Sequence, residues 1–194
     1  MPGGDSQIKH PFTHLEIAPD AYLDGINLRH THDIFNLIDT NRDHLRPWFP
    51  WVDATESVDD TREFIKRMNT AWEEQTIVCT VILVGEKLAG LADLHAIDGS
   101  NNHASMGYWL GKQFEGQGIM TRAVRALLQY GFLELDLERI DICVEPGNRR
   151  SRAIPERLGF TLEGTLRHYQ RYDADQYRDL MVYSLLSGEY AGKP

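Results

Sequence analysis

No stretch of the chain approaches the roughly 18 consecutive apolar residues of a membrane-crossing helix, so no such helix is expected. Cysteine is nearly absent: only Cys79 and Cys143 occur among 194 residues, both inside apolar, strand-like runs. That excludes a disulfide-stapled scaffold and points to a reducing, cytoplasmic compartment. Positive charge is scarce too, with 20 lysines and arginines against 29 acidic residues and a net charge of −9. A general nucleic-acid binder needs a basic face to neutralise phosphates; this balance speaks against one and suits a cationic substrate. Repeats, low-complexity tracts and linkers are missing, which leaves one domain over residues 11–194. Residues 1–10 lack the apolar stretch of a secretory signal and read as a short flexible leader.

What is present is an average globular composition, 42% hydrophobic, with enough apolar content for a core. His14 to Ile17 and Ile26 to Arg29 are short alternating runs that suggest a hairpin. A helix is expected from about Asp33 to Asn41, capped by Thr31 or Asp33, and is broken by the Pro47-Trp48-Phe49-Pro50-Trp51 segment. Another follows Ser57, which forms a capping-box pattern with Asp60. Ile77 to Val84, Leu88 to Ile97 and Ala104 to Leu110 then read as an antiparallel meander. A glycine-bearing loop opens a helix to about Leu135, and Arg139 to Val144 is a further strand. A short helix follows Ser151, with Gly159 as its stop, and Phe160 to Leu166 and Leu180 to Leu186 close the chain as strands. Strand, crossover helix and strand form a right-handed parallel unit. The fold class is α+β, a mixed sheet with helices packed on it.

The loop from Gln113 to Met120 carries the chemistry. Gly116 and Gly118 remove side chains where backbone N–H groups can approach a ligand, and the next helix aims its positive end at the same spot. The loop alone leaves two readings open: a pyrophosphate site, or a strand-to-helix turn that needs glycine only for positive φ. Two rival phosphate loops fail on spacing. Gly111-Lys112 is followed by Gln113 where a Walker loop needs Ser or Thr, and Thr121 stands where a dinucleotide fingerprint needs its third glycine.

Gln113-x-x-Gly116-x-Gly118 resembles the acetyl-CoA motif of the GCN5-related N-acetyltransferase (GNAT) superfamily. Gly107-Tyr108-Trp109-Leu110 before it, and Asn148-x-x-Ser151 with Leu158-Gly159-Phe160 after it, are similar to the RimJ/RimL branch, whose members acetylate ribosomal-protein N-termini. Asn41-Arg42, Leu45 and Trp48-x-x-Trp51 resemble its substrate-side helices. The resemblance spans about residues 26–187. It implies a mostly antiparallel mixed sheet, splayed at its central strands, with helices on both faces. It implies an acetyl-CoA-dependent enzyme whose donor arm lies in the splay between Ala104–Leu110 and Arg139–Val144. Trp109 and Leu110 then contact the arm through backbone, and the segment Gln113, Phe114, Glu115, Gly116, Gln117, Gly118, Ile119, Met120 holds the pyrophosphate.

Read from the residues alone, Asn148 and Ser151 are a helix cap. The resemblance makes Asn148 a cofactor contact and Ser151 the group that hydrogen-bonds or protonates the leaving thiolate. Attack on a thioester needs a neutral amine and hence a base. Relatives commonly carry a Glu where this chain has Gln170, which cannot serve; Glu163 is the first remaining candidate, ahead of Glu145, Asp93, His95 and His168. The acceptor is expected to be a protein N-terminal amine of the ribosomal serine or alanine type. A polyamine or aminoglycoside is the alternative, and a non-catalytic CoA-binding module stands behind both. His30-Thr31-His32 has no third ligand at a metal-binding spacing, so no metal is expected. The resemblance also implies a homodimer.

Overall fold

The computed structural model describes residues 12–190. The leader expected over residues 1–10 lies outside the described residues. Among the described residues, eight strands form one sheet: β1 (Leu15–Ala18), β2 (Ala21–Gly25), β3 (Val78–Val84), β4 (Lys87–Asp98), β5 (His103–Leu110), β6 (Arg139–Val144), β7 (Thr161–Asp173) and β8 (Gln176–Leu186). Their spatial order is β1-β2-β3-β4-β5-β6-β8-β7. Every neighbouring pair is antiparallel except β5 and β6. The helices are α1 (Thr31–Thr40), α2 (Arg42–Leu45), α3 (Trp51–Ala54), α4 (Val58–Glu73), α5 (Ile119–Leu133) and α6 (Arg149–Leu158).

Side-chain alternation along the strands sends apolar groups to both faces of the sheet. On β4, Ala92 and Leu94 join a core built with α5, whereas Leu91 joins a second core built with α1 and α4. Helix α5 buries Met120, Val124, Leu127, Leu128 and Phe132 along one stripe at helical spacing. It approaches the sheet so closely at Gly131 that a Cβ there would lie 2.8 Å from Ile140 Cδ1. Helix α4 begins as its sequence dictates. Ser57 Oγ accepts from the Asp60 N–H, and Asp60 accepts in return from the Ser57 N–H at 2.8 Å.

Four local expectations are corrected. Ile26 to Arg29 is no strand: Asn27 accepts from the Arg29 N–H, His30 Nδ1 accepts from the Asn27 N–H, and the pair of caps winds Leu28–His30 into a 3₁₀ turn. Helix α1 therefore starts at Thr31 with neither Thr31 nor Asp33 as its cap. The last hairpin is longer than expected: β7 runs past Leu166 to Asp173 and takes in Gln170. Finally, α6 begins at Arg149, before Ser151, and runs through Pro155 to Leu158.

Candidate active site

Strand β5 ends at Leu110, and a 3₁₀ turn over Lys112–Phe114 leads into the glycine loop. The start of the loop is tied down from far away in sequence. Buried Asn41, at the junction of α1 and α2, accepts from the Lys112 N–H at 2.9 Å and donates to the Leu37 carbonyl at 2.9 Å. Gly116 and Gly118 hold φ of +75° and +73°, the left-handed region that favours glycine. Helix α5 then opens with no side-chain cap and no acidic residue in its first turn. Its first N–H groups and its dipole are left for an anionic ligand.

Phe114, Glu115, Gly116, Gly118, Ile119 and Met120 line a cleft of 1150 Å³. Gln113 and Gln117 do not. Gln117 Nε2 donates to the Gln113 carbonyl at 3.2 Å, and the Gln117 carbonyl accepts from Arg122, so both glutamines brace the loop. The Glu115 carboxylate is engaged by Arg150 and lies 3.3 Å from His44, pinning the loop to α6 and α2. Five arginines converge on the same cleft: Arg122 and Arg125 from α5, and Arg149, Arg150 and Arg157 from α6. Sequence reasoning missed them because the net charge is negative. The available signal was Arg122 and Arg125 three apart, on one face of a helix.

The sheet opens beside this loop. Parallel pairing of β5 with β6 covers only His103 to Ser105 against Arg139 to Asp141. Beyond Ser105 the β5 residues have no strand partner on that side, which leaves backbone groups available to an extended ligand. Trp109 and Leu110 line the cleft from this stretch. A second chamber, of 520 Å³, lies in the same opening. Trp48, Phe49, Tyr108, Asn148 and Ser151 border both cavities.

Two of these shared residues are locked together. A proline has no N–H, so Pro155 cannot satisfy the carbonyl four residues earlier, that of Ser151. The Tyr108 hydroxyl donates to that carbonyl at 3.1 Å, and Ser151 Oγ lies 3.4 Å from the Tyr108 oxygen. Burial pushes the Tyr108 hydroxyl well above its ordinary pKa, partly offset by the Ser151 hydrogen bond, so it stays protonated. Asn148 Oδ1 accepts from the Ser151 N–H at 3.1 Å. The cap legible in the residues is therefore real, and it also aims Asn148 and Ser151 at the cavities.

A family profile described as the acetyltransferase (GNAT) domain matches residues 22–161. The chain belongs to the GNAT acetyltransferase family. A Bacillus subtilis relative, YdaF, provisionally named a ribosomal N-acetyltransferase, is 39% identical over 81% of this chain and 86% of its own length. The spermidine N(1)-acetyltransferase of Escherichia coli is 29% identical over 87% of this chain and 85% of its own. Among solved structures, RimL, the ribosomal L7/L12 alpha-N-protein acetyltransferase in complex with coenzyme A, superposes with a TM-score of 0.84. It is 26% identical and covers 88% of this chain and 96% of its own.

This GNAT chain is thus an N-acetyltransferase whose acyl donor is acetyl-CoA, and its cleft fits that donor. Uncapped N–H groups, two left-handed glycines and five cations suit a pyrophosphate, and the opened sheet edge suits an amide-bearing arm. The base expected at Glu163 has its carboxylate engaged elsewhere. Glu163 sits on β7 outside both cavities, bonded through both oxygens to Arg139 at 2.6 and 2.7 Å and to Ser184 at 2.7 Å. The Arg139 guanidinium, with help from Ser184, holds its carboxyl down at about 2. A carboxylate so stabilised is a poor proton acceptor. Among the other acidic and titratable candidates, His168 lines neither cavity, Glu145 lines the second chamber in an ion pair with Arg178 at 2.7 Å, and His95 lines that chamber. Gln170 faces it as well.

Proposed function

We propose that this enzyme acetylates the N-terminal amine of a protein, of the ribosomal serine or alanine type. The second chamber carries the reading. Glu145 is the one acidic residue among those that line it, and Arg178 already neutralises that carboxylate. Arg178 is itself fixed, donating to the Pro47 carbonyl at 2.6 Å and stacking 3.5 Å over the Tyr172 ring. Arg171 adds a further positive charge to the wall. A polyamine carries several cations and needs several unpaired carboxylates to receive them. A peptide terminus presents one amine and an otherwise neutral chain, which suits a chamber walled by Trp48, Phe49, Tyr108 and Tyr169.

Acetyl-CoA supplies the acyl group and a thiol leaving group. The amides from Phe114 to Met120, with the arginines of α5 and α6, hold its phosphates. Leu110 pairs with the arm through backbone, Trp109, whose backbone is turned to β4, lines the cleft beside it, and Asn148 contacts the arm at the junction of the two cavities. Ser151, in that junction, hydrogen-bonds the departing sulfur and supplies its proton. Thiol release measured with peptides bearing free Ser or Ala termini, with spermidine and with an aminoglycoside tests the reading. A peptide kcat/KM at least about tenfold above that of any polyamine is expected. The reverse order would transfer the enzyme to small-molecule acetylation, the activity for which the spermidine relative is named.

A further inference from the structure

The second chamber contains a histidine whose neighbours arrange it for proton transfer. His95 lies on β4 and lines the chamber together with Tyr108 and Ser151. Its Nδ1 is 2.6 Å from Asp93 Oδ1, two residues earlier on the same face of the strand. Among the described residues its Nε2 has no protein partner. Strand β5 makes room for this pair. Gly107 stands directly opposite Asp93 in the β4–β5 ladder, and a Cβ there would lie 3.1 and 3.3 Å from the two Asp93 oxygens and 3.4 Å from His95 Cε1. A carboxylate on Nδ1 keeps the proton on that nitrogen and leaves Nε2 as the acceptor lone pair.

We propose that His95 is the general base of this enzyme and that Asp93 is its positioning residue. The proposal rests on the amine-acetylation reading above and names a group that reading lacks. As the amine nitrogen bonds to the acyl carbon, His95 Nε2 takes the proton the amine sheds. The electron pair of the breaking C–S bond leaves on sulfur, which is protonated from the Ser151–Tyr108 pair. The count closes when His95 returns its proton to solvent and that pair regains one.

The other groups around the chamber leave His95 in this role. Glu145, just past the end of β6, is neutralised by Arg178. Cys143 on β6 is a thiol raised above its ordinary pKa by burial, and buried Cys79 on β3, across from Asp93, is raised in the same way. Tyr108 on β5 stays protonated, and β7 contributes Tyr169 and Arg171 but no carboxylate or imidazole. The hydrogen bond from Asp93 raises the His95 pKa and outweighs the opposing effect of burial. The neutral, active form therefore grows as pH rises through that raised value.

The test uses the full chain and the best acceptor from the amine panel. His95→Gln is expected to lower kcat about a hundredfold or more, with acetyl-CoA affinity by calorimetry within about twofold of wild type. Asp93→Asn is expected to lower the His95 imidazole pKa, read by NMR on the ligand-free protein, and to move the acidic limb of the kcat profile down with it. Wild-type kcat in His95→Gln, or an acidic limb unmoved while the NMR pKa shifts, would reduce the pair to a surface contact. A wild type that turns over no amine in the panel would overturn the acetylation reading, and the base with it. Circular dichroism on both variants separates loss of fold from loss of the base.

Discussion

Pro155 and Ser151 stand four residues apart in α6, and the N–H that the proline lacks is replaced by the hydroxyl of Tyr108 on β5. Sequence rules read Pro155 as a sign that the helix is short or starts late. Instead the helix continues, and the carbonyl that the proline orphans becomes the fastening point between the two cavity walls.

This fastening yields a first expectation. Tyr108→Phe removes the donor and leaves a partly buried carbonyl without it, which costs about 1 kcal/mol. Thermal unfolding should record that loss. Pro155→Ala in the same background restores a helical N–H to Ser151 and should recover part of it, an outcome that simple loss of Tyr108 packing would not produce.

Ser151 separates binding from chemistry. Ser151→Ala is expected to lower turnover about tenfold to a hundredfold while acetyl-CoA affinity stays nearly constant. Stopped-assay thiol release and calorimetry on the same preparation read both quantities. Equal kinetics for variant and wild type would remove Ser151 from the mechanism.

The loop has a distant support whose removal should be felt at the cofactor. Asn41→Ala leaves the Lys112 N–H and the Leu37 carbonyl without a partner they now share. A stability loss of about 1–2 kcal/mol is expected, together with weaker acetyl-CoA binding measured by calorimetry. Unchanged affinity would show that the loop keeps its shape without Asn41.

Glu163 gives a prediction in the opposite direction. Its folded pKa, about 2, lies below the unfolded carboxylate value, so its ion pair stabilises the fold above that unfolded value, about 4.3. The contribution is lost as pH falls towards 2, and because the side chain is partly exposed the effect is small. Glu163→Gln should therefore lower stability slightly above about pH 4.3, with the gap from wild type closing as pH falls towards 2 in a series of unfolding curves, and leave kcat at neutral pH unchanged. A large fall in kcat would restore Glu163 to the reaction.

Much of the frame was legible because it is written locally. Gly116, Gly118 and the amphipathic run to Leu133 announce the loop and α5, and Ser57 with Asp60 announces α4. Where local signals competed, the shorter one lost. The four-residue alternation from Ile26 is overridden by Asn27 and His30, which satisfy each other's backbone more cheaply than a strand would. The site itself was only half readable. Asn41 and Lys112 are 71 residues apart, Tyr108 and Ser151 are 43 apart, and the chamber wall combines β4, β5, β6 and β7. Spacing within a segment carries no information about such meetings. The same holds for Glu163: nothing near it in sequence reveals that Arg139 holds it.

The narrow seam between β5 and β6 has a mechanical consequence. Among the described residues, three ladder pairs join the five strands on one side to the three on the other. A ligand that bridges the two strand edges beyond Ser105 would act as a strut across that seam. Amides of Tyr108 and Leu110, which alternate away from β4, should then exchange slowly in the bound enzyme and faster without ligand, so that occupancy of the donor site can be read from the sheet backbone before any acyl group moves.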